Sequence, residues 1–65
     1  MNLLEARKKM KFTQKQVADF AEIERAYYSL IETGTRTPSV SVAKKLGQVL
    51  KIDWTLIYEE SEEEK

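Results

Sequence analysis

The segment from Glu24 to Thr33 carries the side chains with the clearest capacity for specific recognition. At helical spacing, one side of this segment gathers Arg25, Ala26, Ser29 and Leu30. An arginine guanidinium can donate two hydrogen bonds to guanine O6 and N7, a serine hydroxyl can donate or accept, and apolar side chains can contact thymine methyl groups. We predict that these four residues contact DNA bases in the major groove. For Leu30 the alternative is burial against another protein surface.

Side chains suited to phosphate oxygens lie on both sides of that segment and at its margin. The predicted phosphate contacts are Thr13, Gln14, Tyr27, Thr35, Arg36 and Thr37. Thr13 and Gln14 stand at the expected N-terminus of a helix, where unpaired backbone N–H groups attract anions. Three alternatives stay open. Gln14 could cap its own helix, Tyr27 could be a partly buried core aromatic, and residues 34–38 could form an ordinary polar loop.

The composition argues against an enzyme. The 65 residues include no cysteine and no histidine, which removes the commonest nucleophiles, general bases and zinc ligands. No constellation of carboxylates replaces them. We therefore predict a protein that is not an enzyme, with no metal, no cofactor and no evident small-molecule ligand.

Two short helices are needed to position the predicted contacts. Thr13 and Gln16 form a capping-box pattern, which predicts that the first of these helices covers Gln14–Ala21. Its inward residues are expected to be Val17, Ala18 and Ala21, with Phe20 close to the apolar edge. Ala18 is small enough to let a second helix cross closely at this point.

The second helix of the pair follows a break near Glu22 and is expected over about residues 24–33. A line of apolar residues predicts its inward side: Ile23, Tyr28 and Ile31. Gly34 stands where a left-handed cap residue is expected to end the helix. Two helices in this order and spacing predict a helix-turn-helix, whose second helix can lie in the major groove of DNA.

Three further helices are predicted around this pair. The first is expected over about Asn2–Met10 with Asn2 and Glu5 as a capping box, a fourth after Ser39, and a short fifth after Asp53. Apolar residues at core spacing in these helices are Leu3, Leu4, Met10, Val40, Ala43, Leu46, Val49, Leu50, Trp54, Ile57 and Tyr58. The predicted fold class is all-α, a compact bundle of five short helices.

The charge of the chain divides it into two parts. Residues 1–51 hold ten Lys or Arg against five Asp or Glu, a balance of +5, whereas residues 52–65 hold one Lys against six acidic residues, a balance of −5. A basic body beside an acidic end is typical of nucleic-acid-binding proteins, although a basic surface can also serve solubility alone. We predict one domain over residues 1–58 and an acidic tail over residues 59–65.

The hydropathy pattern places the chain away from membranes. No apolar run approaches the roughly 20 residues that a membrane-spanning helix requires. The N-terminal residues are charged throughout and lack the apolar block of a signal peptide. We therefore expect a cytoplasmic protein.

The chain resembles the helix-turn-helix of Cro-type and lambda-repressor-like transcriptional regulators, the XRE family, over about residues 2–58. The matching residues are Thr13-Gln14, Val17-Ala18, Ile23, Tyr28, Ile31-Glu32, Gly34, Arg36 and Pro38-Ser39. The resemblance implies a lambda repressor-like DNA-binding domain. In this family the loop that follows the second helix of the helix-turn-helix contacts the DNA backbone. Two residues depart from the family pattern. Glu22 stands where a turn glycine is usual, and Leu30 stands where a polar or basic residue is common.

Arg7 falls on the inward side of the first helix, where a charged group needs a partner. Glu32, on the edge of the inward face of the third helix, is the candidate. The family resemblance implies the same bridge between these two helices. The alternative is that both residues are surface charges.

The pattern as a whole predicts a sequence-specific regulator that binds double-stranded DNA, a repressor acting as a homodimer on a pseudo-palindromic operator. One such module touches few base pairs, and a two-fold dimer doubles the contacts. We expect the dimer surface around Lys51, Trp54 and Tyr58, although both aromatics could instead close the core. The alternative is a protein-interaction adaptor or antitoxin-like module with the same fold, which Leu30 and Phe20 favour.

Overall fold

The computed structural model describes residues 3–62, with side chains through residue 58. Over this range the chain forms five α-helices and no strand. They are α1 (Leu3–Met10), α2 (Gln14–Ala21), α3 (Arg25–Glu32), α4 (Val40–Leu50) and α5 (Thr55–Glu62). The predicted all-α bundle of five short helices is confirmed. The predicted capping role of Asn2 lies outside the described residues, as do the side chains of the predicted acidic tail over residues 59–65.

Helix starts follow the capping residues that the sequence indicates. The Thr13 hydroxyl oxygen accepts a hydrogen bond from the Gln16 N–H at 3.1 Å, and the Gln16 side-chain oxygen accepts from the Thr13 N–H at 2.9 Å. The predicted capping box of α2 is therefore complete. Ser39 caps α4 in the same way, accepting from the Val42 N–H at 3.3 Å. α3 begins one residue later than predicted because Glu24 is its N-cap.

Four helices end in a turn of the same kind. In each, one of the first two residues after the helix has a left-handed backbone, and the N–H of the following residue donates to the carbonyl five residues before it, as in a Schellman motif. The left-handed residues are Lys11 (φ 62°), Glu22 (φ 64°), Gly34 (φ 86°) and Lys51 (φ 58°). Gly34 therefore adopts the predicted conformation. The other three carry side chains in a region that costs L-residues roughly 1 kcal/mol or more.

The core lies where α1, α2, α3 and α4 meet, and α5 closes one side of it. Its buried residues are Leu3, Ala6, Val17, Ala18, Ala21, Tyr28, Ile31, Ala43, Leu46, Leu50 and Ile57. Ile23, Val49, Trp54 and Tyr58 are half-buried and pack against this cluster. Ala6 was not among the predicted core residues, because a single small residue adds little to an apolar pattern.

Two apolar residues lie further out than the sequence predicts. Val40 was predicted to be a core residue, and this is wrong, since it is 51% exposed. At about 100° per residue it lies roughly 70° from the centre of the buried stripe of α4, on the helix's first turn. Pro38, two residues before Val40, is buried. Phe20, predicted near the apolar edge of α2, is 56% exposed and packs edge-to-face on Phe12 at 5.3 Å between ring centroids.

Gly47 allows α4 and the segment that leads into α5 to approach closely. A side-chain carbon added at Gly47 would lie 2.9 Å from Trp54 Cβ and 3.0 Å from the Ile52 carbonyl oxygen. Asp53 accepts from the Thr55 N–H at 3.0 Å and so caps the start of α5. The Tyr58 hydroxyl donates to the Pro38 carbonyl at 2.8 Å and fastens α5 to the loop before α4.

None of the helices in the part of the chain that the structure describes has the length and apolar character to cross a membrane.

Candidate nucleic-acid interface

The two sides of α3 differ completely in their surroundings. Tyr28 and Ile31 face the core with 0% and 5% of their surface exposed. On the opposite side, Arg25 and Ala26 are exposed. Of the eight residues of α3, two are buried, three are half-buried and three are exposed, so one face of the helix is left uncovered by the described part of the chain. α2 packs against α3, and the buried residues of α2 are Val17, Ala18 and Ala21.

The four predicted base-contacting residues are brought together on the outer face of α3. Leu30 is 38% exposed, so this apolar side chain lies at the surface of the protein and not in the hydrophobic core. Ser29 is half-buried between the two faces. The face therefore combines a guanidinium, a hydroxyl and two apolar groups along about two turns of helix.

The predicted phosphate contacts surround that face at two places, and their exposure differs. Thr13, Thr35, Arg36 and Thr37 are exposed, whereas Gln14 and Tyr27 are half-buried. The Thr13 oxygen accepts the capping bond from Gln16, so that its hydroxyl hydrogen stays available to a further acceptor. The Thr35 hydroxyl lies 3.1 Å from the Thr33 hydroxyl, and this internal bond occupies part of its capacity.

Glu32, the last residue of α3, is the centre of a polar cluster between this helix, α1 and α2. Its carboxylate accepts from Arg7 Nε at 2.8 Å, from the Tyr28 hydroxyl at 2.9 Å and from Gln14 Nε2 at 2.7 Å. Arg7 also donates to the Phe12 carbonyl at 3.0 Å. The Arg7 and Glu32 side chains are 15% and 7% exposed, so the structure brings the two residues together inside the bundle rather than at its surface. One carboxylate thus joins α1, α2 and α3.

The charges in this cluster perturb its ionisable groups. Burial by itself raises the pKa of Glu32, but the hydrogen bonds from Arg7, Gln14 and Tyr28 outweigh it and hold that pKa below its usual value. The hydrogen bond to Glu32 raises the pKa of Arg7. Burial, and then the bond to Glu32, raise the pKa of the Tyr28 hydroxyl. The cluster therefore holds a carboxylate, a guanidinium and a neutral phenol at neutral pH.

Gln14 connects this cluster to the outer face of α3. Its Nε2 donates to Glu32, which fixes the orientation of the amide, and its Oε1 then accepts from Arg25 Nη1 at 3.4 Å. The cap of α2 is Thr13, so the alternative in which Gln14 caps its own helix is not what the structure contains. Sequence reasoning missed both bonds, since the partners lie 11 and 18 residues away with no local pattern to join them.

The loop after α3 folds back over the end of that helix. The Leu30 carbonyl accepts from the Thr35 N–H at 2.9 Å and from the Arg36 N–H at 3.2 Å. The Arg36 guanidinium then lies over the Tyr27 ring, with its central carbon 6.0 Å from the ring centroid. Tyr27 packs against the core with the rest of its ring. The predicted loop cation is thus held beside the outer face of α3.

Comparison with known proteins agrees with this architecture. A family model described as "Helix-turn-helix" matches residues 3–57, most of the chain. The chain belongs to the XRE-type helix-turn-helix family. The "Uncharacterized HTH-type transcriptional regulator YqaF" of Bacillus subtilis (strain 168) is similar, with 57% identity over 49 residues. The match covers 75% of this chain and 64% of that relative, so the chain spans less than two thirds of its length.

The helix-turn-helix of this family member keeps its turn despite the missing glycine. Glu22 adopts the left-handed conformation itself, and its N–H bonds back to the end of α2. Its carboxylate accepts from Lys45 Nζ at 2.9 Å, which links the turn to α4. The hydrogen bond from Lys45 lowers the pKa of Glu22. The predicted departure at this position therefore changes the residue and leaves the fold of the turn intact.

The residues expected at a dimer surface lie between the end of α4 and the middle of α5 in this helix-turn-helix domain. Lys51 is exposed where α4 ends, and Trp54 and Tyr58 are half-buried. The two aromatic rings pack edge-to-face with centroids 6.1 Å apart, and Lys44 Nζ lies 5.5 Å from the centre of the Trp54 ring. Both aromatics thus help to close the core, and each keeps part of its surface outside. No group of His, Cys, Asp or Glu among the described residues could hold a metal ion.

Proposed function

We propose that this protein is a sequence-specific regulator that binds double-stranded DNA, with α3 in the major groove. The observation that carries the proposal is the outer face of α3, where Arg25, Ala26 and Leu30 are exposed and Ser29 is half-buried, while Tyr28 and Ile31 are buried on the opposite side. Arg25 is the strongest candidate for specificity, because its guanidinium can bridge guanine O6 and N7. Family membership supports the same function.

Phosphate contacts are proposed on either side of α3. The N-terminus of α2 offers the backbone N–H groups of Gln14 and Lys15 and the Thr13 hydroxyl. The loop offers Thr35, Arg36 and Thr37. The +5 balance of residues 1–51 supports a surface that attracts the DNA backbone. These contacts set affinity and register for all sequences alike.

The proposal includes a homodimer acting as a repressor on a pseudo-palindromic operator in the cytoplasm. A two-fold dimer places two copies of α3 in successive major grooves when their separation is ~34 Å or a multiple of it. Lys51, Trp54 and Tyr58 are the proposed contact residues. This choice of contact residues is supported by the partial exposure of both aromatic side chains, which are only half-buried in the described domain.

A second candidate is a protein-interaction adaptor, and two exposed side chains favour it. Phe20 is 56% exposed on α2 and Leu30 is 38% exposed on α3, and exposed apolar surface marks contacts with protein partners where it forms a contiguous patch. An adaptor of this kind would have little affinity for DNA at any salt concentration.

Binding to random duplex DNA over a series of salt concentrations separates the two candidates. A DNA-binding protein should give a plot of log K against log salt that falls with a slope of about −0.9 for each phosphate neutralised. Selection of duplexes from a random pool then gives the operator, and two-fold symmetry in the selected sequences tests the dimer. Absence of binding at low salt would overturn the proposed function.

The substitution Arg25→Ala tests the proposed reading face. We expect a loss of about 1–3 kcal/mol on the selected operator and relaxed preference at one base pair in each half-site. The matched control is Lys8→Ala, which removes an exposed positive charge from α1 and should leave sequence preference unchanged. Unchanged discrimination between operator and variant sites in Arg25→Ala would contradict the assignment of Arg25.

A further inference from the structure

Tyr27 and Arg36 form a contact that neither residue's predicted role requires. Both are expected to contact phosphate, Tyr27 through its hydroxyl and Arg36 through its guanidinium. In the structure the guanidinium carbon lies 6.0 Å from the centre of the Tyr27 ring, at the outer limit of a cation–π contact. The Tyr27 hydroxyl makes no hydrogen bond among the residues that the structure describes. The ring face, not the hydroxyl, is therefore the part of Tyr27 in use.

The backbone around Arg36 makes this contact a consequence of the fold. Gly34 turns the chain with a left-handed backbone, and the Leu30 carbonyl accepts from both the Thr35 and the Arg36 N–H groups. These bonds hold the backbone of Arg36 against the last turn of α3. Tyr27 lies three residues before Leu30, one turn back along the same side of the helix. Arg36 consequently extends back along α3 instead of away from it.

Tyr27 is well placed to act as a fixed support. Its ring packs against the core and is half-buried, whereas Arg36 is exposed. Arginine has many rotamers and loses that freedom when it binds a phosphate. A side chain already lying along a rigid ring loses less, so part of the ordering needed for binding is present in the free protein.

We propose that Tyr27 is a positioning residue, whose ring holds the Arg36 guanidinium beside the outer face of α3 for contact with a DNA phosphate. The proposal rests on the proposed DNA-binding function and changes the role of Tyr27 within it. The hydroxyl of Tyr27 is not needed, and its effect on binding passes through Arg36. A cation–π contact at an exposed site corresponds to about a two- to fivefold change in affinity.

A comparison of Tyr27→Phe with Tyr27→Leu tests the role of the ring. Tyr27→Phe keeps the ring and removes the hydroxyl, so affinity for random and operator duplexes should stay the same. Tyr27→Leu should weaken both by about two- to fivefold and leave the salt slope unchanged, since the charge of Arg36 remains. Equal weakening by the two substitutions would overturn the proposal, because the hydroxyl would then be the contacting group.

Arg36→Ala completes a double-mutant cycle. By itself it should weaken binding to all duplexes and reduce the salt slope by about 0.9, the loss of one phosphate contact. With Arg36 already replaced, Tyr27→Leu should have no further effect on affinity. Independent effects of the two substitutions would overturn the coupling. Thermal unfolding of each variant shows whether the substitution has acted on folding instead.

NMR of the unmodified protein without DNA tests the contact even if Tyr27→Leu fails to fold. Side-chain protons of Arg36 should be shifted upfield by the Tyr27 ring current, and Arg36 Nε should be less mobile on the picosecond–nanosecond timescale than Arg25 Nε. Random-coil shifts for Arg36 would overturn the positioning role and leave DNA binding standing. Normal ring-current shifts with no DNA binding would instead identify the proposed function as the error.

Discussion

Two ion pairs of nearly equal length join distant segments of this domain. They differ in solvent exposure and in the number of further hydrogen bonds to the glutamate. Arg7 and Glu32 meet at 2.8 Å, and Lys45 and Glu22 at 2.9 Å. The first pair has side chains that are 15% and 7% exposed, and the second has side chains that are 44% and 74% exposed. Glu32 also accepts from Gln14 and Tyr28, whereas Glu22 accepts from Lys45 alone among the described side chains.

The difference shows that burial, and not the distance between the charged atoms, decides how much each pair contributes to the free energy of unfolding. Breaking a buried pair leaves a charge without solvent or partner, which costs several kcal/mol. An exposed pair returns to water when it breaks, so its contribution is between zero and about 1 kcal/mol. The buried pair also determines where α3 lies relative to α1 and α2. The exposed pair lies beside a turn that the backbone bonds already hold.

Glu32→Ala is expected to have the largest effect on stability. It removes the acceptor shared by Arg7, Gln14 and Tyr28 and leaves the mostly buried guanidinium unpaired. We expect a loss of about 3 kcal/mol, toward the lower end of values for buried pairs because Arg7 keeps some exposure. Urea denaturation measures the loss. A domain of this size has little more than that to lose.

Glu32→Gln is the matched control for that substitution, since the amide keeps the shape and one acceptor oxygen. It should cost less than Glu32→Ala. Losses below 1 kcal/mol for both variants would mean that the buried pair resembles the exposed one, and the comparison would fail.

The pH dependence of stability is expected to distinguish the two glutamates next. The folded-state pKa of Glu32 lies below its ordinary value of 4.5, so its contribution is fully present above that pH. As the pH falls below about 4.5, the unfolded chain takes up a proton before the folded chain does, and stability is lost down through the folded pKa. Urea unfolding between pH 3 and pH 7 measures this loss. The Glu32→Gln variant should show a shallower decline.

The pKa of Glu22 is also lowered, so Glu22→Gln is the control for the acid experiment. Its pH profile should stay close to that of the unmodified protein, because the Glu22 carboxylate is exposed to solvent and its bond to Lys45 is screened. A larger change in Glu22→Gln than in Glu32→Gln would reverse the proposed ranking of the pairs.

The features that could be predicted from the sequence are those that depend on neighbouring residues. The capping box of Thr13 and Gln16 is a pattern four residues long, and it predicts the start of α2 correctly. The inward stripe of α3, including Tyr28, follows from helical periodicity. The left-handed Gly34 follows from its place after the helix. The family pattern added the Arg7–Glu32 pair, which periodicity alone leaves open.

The features that were missed depend on how helices meet. Gln14 contacts Glu32, and Lys45 contacts Glu22, across 18 and 23 residues. Pairing at these separations follows from the crossing of helices, which no short pattern specifies. Lys11 and Lys51 adopt left-handed backbones without a glycine to indicate it. Val40 lies three residues before the buried Ala43 and is still exposed. Helical spacing does not say which neighbouring segments pack over the first turn of α4.

The exposed pair is expected to have the smallest effect on the free energy of unfolding. The substitution Glu22→Gly compares the contribution of this pair with the backbone strain at the same residue. Glycine removes the carboxylate that Lys45 contacts, and it also relieves the left-handed conformation at φ 64°. The relief is on the order of 1 kcal/mol, while the exposed pair contributes a few tenths. We therefore expect Glu22→Gly to raise the free energy of unfolding by about 0.5–1 kcal/mol, measured by urea denaturation.

Two controls separate the terms in that result. Glu22→Ala removes the ion pair and keeps a side chain at positive φ, so its stability should lie within about 0.5 kcal/mol of the unmodified protein. Gly34→Ala introduces the same backbone strain at a position where an added carbon meets nothing within 4 Å, and it should destabilise by about 1 kcal/mol. A destabilised Glu22→Gly variant with a normal Glu22→Ala variant would mean that glycine's flexibility outweighs the strain. Destabilisation of both Glu22 variants and of Lys45→Ala by more than 1 kcal/mol would instead show that the exposed pair matters as much as the buried one, and that accessibility does not explain the difference.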